Sequence, residues 1–492
     1  MIEKYYDGAI EQVAAGLGTV EKNYLLVRYS GQFSVENLND TKQLEKNEDI
    51  FVQVHEFETG EITCAYEPYL TMICDGFRRY MTGTFEEFME TCDVYYLHRP
   101  VLLGYFNQDN TGREEIILLD EVAYEQERML AALERMLCAI ADRHPVLFVL
   151  NRFQLASKST MQLTARFLKC ENCNIGLVLG VSDIQAMPEF LVPDWEMLYE
   201  TLDDGSKIYH IGNSGRKKEE TIDDEKYVDY GSEKVYRKLQ NMVEFLDFDQ
   251  AAYYLETIER KIKFDNLLVD DAARFRMWLL FVKVSILRQD IPKALEICED
   301  LEKIHLAGKE EECAYEQDYL IATAYMYQGK LKEALEMAGE TYRIAGKMSD
   351  DYRMFLSELL EAKIQMSGWY NIFFCAQDVK IKESLIQNLI RYNYRNHLAH
   401  VYIYAYDNKP EIVKKANQSE ELLIYFSRGI RIAKKLGNEY LINMAYQKNI
   451  MLSSTNGMYE ISLLYSVRTY EALKDKRSIQ AGRIYSGIAY NL

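Results

Sequence analysis

One change of pattern constrains this chain more than any other feature. Up to about residue 215, short apolar runs alternate with amphipathic stretches; beyond it the runs stop and only helical periodicity remains. The runs are Tyr24 to Tyr29, Ile50 to Val54, Pro145 to Leu150, Asn174 to Val181 and Lys207 to Ile211. Pro145-Val146-Leu147-Phe148-Val149-Leu150 has no polar alternation at all. A strand of that kind is buried on both faces, which is the mark of a parallel sheet. Helical stretches separate the runs at Glu3 to Ala15, Asn39 to Glu45, Tyr69 to Tyr80, Thr84 to Cys92 and Tyr124 to Ala141. In the last of these, Met129, Leu130, Leu133, Met136, Leu137 and Ile140 share one face. Strands alternating with helices specify an α/β domain over residues 1–214. Residues 215–232 are polar and charged and read as a linker, and residues 233–492 read as an all-α array.

The second half repeats. Tyr319 to Ala334 places Ile321, Ala322, Tyr325, Gly329, Leu331 and Ala334 at the offsets of a tetratricopeptide-like helical hairpin. Ala322 and Ala334 let two helices approach, Ile321 and Leu331 fill the seam, and Gly329 supplies the positive φ of the turn. Asp290 to Ala294 and Asp247 to Ala251 open helices in the same way. The anchors Ala251, Ala294, Ala334 and Phe373 recur roughly every 40 residues, longer than the usual repeat of about 34. Stacked hairpins expose a groove suited to a protein partner. Tyr319 and Tyr327 would serve either that groove or the packing between repeats. The last stretch, Ser478 to Leu492, has an apolar face and no following helix. It points to a longer protein or to an oligomer formed through that helix.

Composition narrows the function. The 492 residues carry a formal charge of -20, which repels phosphate backbones and argues against direct nucleic-acid binding. No signal peptide and no membrane-length apolar stretch is present, and nine scattered cysteines fit a reducing, cytoplasmic setting. Cys170-Glu171-Asn172-Cys173 lacks the second pair a zinc site needs, and His397 and His400 have no acid or cysteine near them in sequence. No metal site is expected. The motifs G-x-S-x-G, H-E-x-x-H and G-x-G-x-x-G are all absent.

The stretch Arg143 to Thr160, the strand Asn174 to Val181 and the segment Ala65-Tyr66-Glu67-Pro68-Tyr69 together resemble the STAND class of signalling ATPases. More narrowly, they resemble the AAA-type domain of large bacterial ATP-dependent LuxR-type transcription regulators, which carry tetratricopeptide repeats behind it. The resemblance covers residues 1 to 215 and implies a P-loop-NTPase-like domain followed by a helical solenoid. In that alignment the phosphate loop G-x-x-x-x-G-K-[ST] falls on Gly31-Gln32-Phe33-Ser34-Val35-Glu36-Asn37-Leu38. Only Gly31 survives. Glu36 stands where phosphate would lie, Asn37 replaces the lysine and Leu38 the magnesium-binding hydroxyl. Asn151 and Arg152 replace the two acids that end the buried strand.

The resemblance with these losses implies a pseudo-ATPase with no catalytic residues, in a signalling or regulatory interaction protein. ATP or ADP is the disfavoured ligand, because Glu36 opposes it. Two alternatives stand beside this reading: an ATP-dependent molecular switch built on unusual residues, and the sensory part of a longer transcription regulator or signalling enzyme.

Overall fold

The structure is a computed structural model. It describes residues 2–18, 23–29, 49–58, 61–109, 112–113, 115–117, 121–170, 174–182, 187–202, 208–211, 229–265, 267–366, 383–405, 419–455, 459–472 and 488–489. The positions Gly31, Glu36, Asn37 and Leu38, the helix expected over 39–45, most of the linker, Phe373 and nearly all of the terminal stretch lie outside them.

All five expected strands form: β1 (Asn23–Tyr29), β2 (Phe51–Glu56), β3 (Val146–Asn151), β4 (Ile175–Ser182) and β5 (Ile208–Ile211). They make one parallel sheet in the order β2-β3-β4-β1-β5. Every residue of β3 and β4 is buried, as continuous apolar runs require. One face is covered by α1 (Ile2–Gly16), whose Ala9, Ile10 and Val13 pack on Leu25, Val27, Leu147, Val149 and Val178. Gly176 lets α1 approach: a Cβ there would lie 2.8 Å from Val13 and 3.0 Å from Leu147.

On the other face α2 (Tyr69–Tyr80) packs against β3, with α5 (Val122–Ala141) and α6 (Lys158–Lys169) beside that helix: Ile140 lies against Gly76, and Phe167 against Tyr69. Tyr69 sets its ring edge-on to Phe148 and Phe167, and its hydroxyl lies 2.6 Å from that of Thr164. Between them lie α3 (Phe85–Thr91), started by a Thr84/Glu87 capping box, and α4 (Arg99–Asn107). After β4 comes α7 (Val192–Leu202).

Four more helices follow: α8 (Glu233–Glu244), α9 (Phe248–Phe264), α10 (Asp271–Leu287) and α11 (Ile291–Leu301). The side chains of Ser232, Asp247, Asp270 and Asp290 each accept a backbone N–H in the first turn of the next helix. The chain divides into two compact units. The first comprises Met1–Arg113 and Glu125–His305; the second comprises Glu114–Tyr124 and Leu306–Leu492. The change of composition near residue 215 and the boundary of compactness near residue 305 therefore fall at different places.

The second unit holds α12 (Glu310–Gln328), α13 (Leu331–Lys347), α14 (Asp351–Met366), α15 (Glu383–Arg391), α16 (Arg395–Ala405), α17 (Ser419–Leu436), α18 (Glu439–Thr455) and α19 (Tyr459–Ala472). The α12–α13 hairpin is the one read from sequence. Gly329 ends α12 at φ 81°, with open space around its missing Cβ. Ala322, Leu331 and Ala334 are buried together with Leu360 and Ile364 of α14, Tyr325 packs against them, and Ile321 is buried. Ala399 and Ala433 carry the same close packing into α16–α18 with Leu441 and Ala445. The fold is thus a parallel α/β sheet domain followed by stacked helices, with no strand beyond β5 among the described residues.

Candidate functional site

In an open parallel sheet, ligands bind beyond the carboxyl ends of the strands where successive connections leave in opposite directions. Here that point lies between β1 and β4. From β1 the chain crosses to β2 at one edge, and from β4 it crosses past β1 to β5 at the other. The parallel register brings Tyr29 opposite Ser182. Asn151, which ends β3, reaches the same place.

Tyr29 and Asn151 are directly bonded. The Tyr29 hydroxyl donates to Asn151 Oδ1 at 2.6 Å, and both side chains are buried. Burial pushes the Tyr29 phenol up to about 12, with Arg152 and Asn151 pulling it down and Glu56 pushing it up. The hydroxyl therefore stays neutral across the physiological range. Arg152 takes the left-handed conformation at φ 53°, a position that costs a non-glycine residue about 1 kcal/mol or more. Its Nε lies 3.3 Å from Glu56 Oε1, at the end of β2. Gln154 closes the group: its amide donates to the Ser182 carbonyl at 3.2 Å and accepts from the Ser182 N–H at 3.3 Å.

This edge holds a neutral tyrosine–asparagine bond, an arginine–glutamate pair and a glutamine clasp. Asn151 and Arg152 bring no carboxylate to hold a cation or activate water. Among the described residues, Glu56 brings a carboxylate to this edge, and Arg152 engages it. Of the residues singled out from sequence, Asn151 and Arg152 meet here, and the residues aligned with the phosphate loop lie outside the described ones. Tyr29, Glu56 and Gln154 were not singled out. Their types carry no signal until the strand order places them together.

The segment Ala65 to Tyr69 has a different place. The Tyr66 N–H donates to Ser159 Oγ at 3.0 Å, and the Thr160 hydroxyl donates to the Glu67 carbonyl at 2.8 Å. The Ser159 N–H donates to Asp247 Oδ2 at 3.0 Å, so the first turn of α6 is joined to the start of α9. Burial raises the Asp247 carboxyl above its usual range, against the pull of those N–H donors. Lys158 Nζ lies against Asp249 and Arg288 Nε is 2.9 Å from it, holding that carboxyl low although burial pushes it up. These contacts tie the helices after residue 232 to the sheet domain within the first unit.

The helical residues fall into place as packing groups. Tyr319 lies among Ala322, Leu331 and Ala334, with its ring stacked on Tyr315, whereas Tyr327 is 39% exposed. Of the two tyrosines, Tyr319 is used between repeats and Tyr327 faces solvent. Cys170 faces Cys138, sulfur to sulfur at 3.6 Å, as free thiols; Cys173 lies outside the described residues. No cluster of metal-ligating side chains occurs among the described residues. His397 is not without an acid, however. Its Nδ1 lies 2.6 Å from Glu115, which is distant in sequence. None of the described helices is long and apolar enough to cross a membrane.

No family model matches the chain. A comparison with curated proteins finds no match. Among solved structures, one similar chain is a signal transduction ATPase with numerous domains (STAND) protein with a tetratricopeptide repeat sensor, from Pyrococcus horikoshii. It is 10% identical, with 96% of this chain and 83% of that chain covered, at a TM-score of 0.44.

Proposed function

We propose that this chain is a non-catalytic regulatory interaction protein, in which a pseudo-ATPase sheet domain supports a partner-binding helical array. The observation that carries the proposal is the buried Tyr29–Asn151 bond at the carboxyl edge of the sheet. Phosphoryl transfer needs acids there to position a divalent cation and a nucleophile. Among the described residues, this edge holds the neutral Tyr29–Asn151 bond, the Gln154 clasp and one engaged ion pair. The exposed tyrosines Tyr327, Tyr342 and Tyr352 support the second part, since tyrosine offers large contact area at low entropic cost.

The test is nucleotide content and binding. Purified protein is denatured and its supernatant assayed for ATP and ADP, alongside thermal melting with each nucleotide and magnesium. A nucleotide at about 100 times its Kd would stabilise by ~2.7 kcal/mol, a shift on the order of 5 °C or more. The expected result is no bound nucleotide and no shift. Co-purifying ATP, or a shift of that size, would overturn the pseudo-ATPase reading in favour of an ATP-dependent switch.

A further inference from the structure

An open cleft of about 430 Å³ lies in the first unit, lined by Cys64, Glu67, Tyr105, Glu233, Arg237 and Asn241 together with Lys234 and Lys238. None of these residues belongs to the carboxyl edge of the sheet. The volume is that of a small-molecule site. The wall from α8 is made by positions 234, 237, 238 and 241, whose three- and four-residue spacings set them along one helix face. Val235, Leu239, Met242 and Val243 are buried and anchor the helix.

The charges divide into satisfied and unsatisfied groups. Lys238 Nζ is 2.7 Å from Glu61 Oε1 and donates to the Ile62 carbonyl at 2.8 Å. Arg237 pairs with Glu233 at 3.3 Å, but Glu233 also serves Arg276 at 3.0 Å, so one carboxylate is shared by two guanidinium groups. Lys234 has no ion pair among the described residues. Across the cleft the Glu67 carboxylate likewise has neither an ion pair nor a side-chain hydrogen bond among them. Burial holds its carboxyl above the usual range, with Lys238 pulling the other way. Asn241 has a buried Oδ1 with no hydrogen-bond partner.

A buried acceptor without a donor costs about 1–3 kcal/mol, and more when charged. Asn241 Oδ1 therefore calls for a donor; beside it the half-buried Glu67 offers an anionic acceptor, and the exposed Lys234 and Arg237 offer cations on the opposite wall. The other walls are inert. Burial pushes the Cys64 thiol up to about 12, so it is no nucleophile at neutral pH, and the Tyr105 hydroxyl is engaged by Thr71 at 3.2 Å.

We propose that this cleft binds a small zwitterion of the amino-acid class. Its carboxylate lies against Lys234 and Arg237, its ammonium against Glu67 and Asn241 Oδ1, and its side chain against Cys64 and the Tyr105 ring. In a regulatory protein such a site is a sensory input. The cleft does not depend on the nucleotide reading, and its test contains no nucleotide, so either can fail alone.

The experiment is thermal melting of the full chain with pools of free L-amino acids, followed by calorimetric titration of the best one. Matched probes follow: that amino acid's amide, its deaminated acid, acetate and inorganic phosphate. Expected is a stabilising shift with at least one amino acid and at least tenfold weaker binding of every probe lacking one of the two charges. Glu67→Gln and Lys234→Met are each expected to weaken binding at least tenfold while circular dichroism remains that of the wild type. Absence of a shift with every amino acid would overturn the proposal. So would equal binding of phosphate, or unchanged affinity in two folded variants.

Discussion

Each compact unit buries a histidine against a glutamate, and the two pairs differ in what else holds the acid. In the first unit His98 Nε2 lies 3.1 Å from Glu125 Oε2, both fully buried, and Arg128 pairs with the same carboxylate. Burial pushes the Glu125 carboxyl up, but His98, Arg128 and Arg113 together outweigh it and hold it below its usual range. In the second unit Glu115 Oε1 accepts from the backbone N–H of His397 at 2.7 Å as well as contacting its ring, and Oε2 accepts from the Asn396 N–H at 3.2 Å. Glu115 thereby satisfies two N–H groups in the first turn of α16, where the helix dipole favours an acid. One glutamate is the centre of an ion cluster; the other is the cap of a helix supplied from a distant stretch of chain. Burial of an acid can thus be offset by cations or by backbone N–H groups.

The largest expected effect separates the two. Glu125→Ala leaves His98 and Arg128 without their shared anion and should destabilise the first unit by about 3–5 kcal/mol. Glu115→Ala leaves two backbone donors and a ring nitrogen unmatched and should cost the second unit ~3 kcal/mol. Hydrogen exchange reads them apart: the first substitution should speed exchange in α5 and the second in α16. Faster exchange in both helices for either substitution would break the distinction.

Acidity should sharpen it. Burial drives the His397 imidazole well below its ordinary 6.5, with Lys363 adding to the effect. Burial also lowers His98, but there Glu125 pulls upward. A histidine whose folded pKa lies below its unfolded value resists a proton that the unfolded chain accepts. Its effect is absent well above pH 6.5, and stability is lost as the pH falls through that value. Melting temperature should therefore drop on acidification below about 6.5. His397→Asn, which keeps a donor near Nδ1, should flatten that drop more than His98→Asn. An equal flattening by both would show that Glu125 does not protect His98.

The smallest effects come from two glycines. Gly176→Ala forces a Cβ against Val13 and Leu147 in a packed sheet and should cost about 1–3 kcal/mol. Gly329→Ala meets open space and pays only for φ 81°, about 1 kcal/mol. Urea denaturation that ranks them in reverse would mean the α1–sheet contact yields more readily than the α12–α13 turn.

What was legible in the sequence follows from the range of each interaction. The strands β3 and β4 could be read because continuous apolar runs need no partner to be recognised. The α12–α13 hairpin could be read because Ala322, Gly329 and Ala334 are near neighbours in the chain. His397 looked acidless because Glu115 is remote in sequence and nothing local announces their meeting. Tyr29 and Glu56 were illegible for the same reason, since only the order of strands sets them beside Asn151 and Arg152. The change of composition near residue 215 was visible, but the compact boundary near 305 depends on such contacts as Ser159 with Asp247.

The division of the chain also decides how it can be dissected. Because Glu114–Tyr124 is counted with the second unit while the residues on either side belong to the first, no single cut yields both units whole. A gene fragment ending near residue 305 would carry Glu115 and Ile116 without α16 and the apolar cluster of α14–α16 that receives them. The complementary fragment would carry α16 with its first-turn donors bare. Grafting the short stretch 114–124 onto that second fragment is the repair that the wiring of the chain suggests.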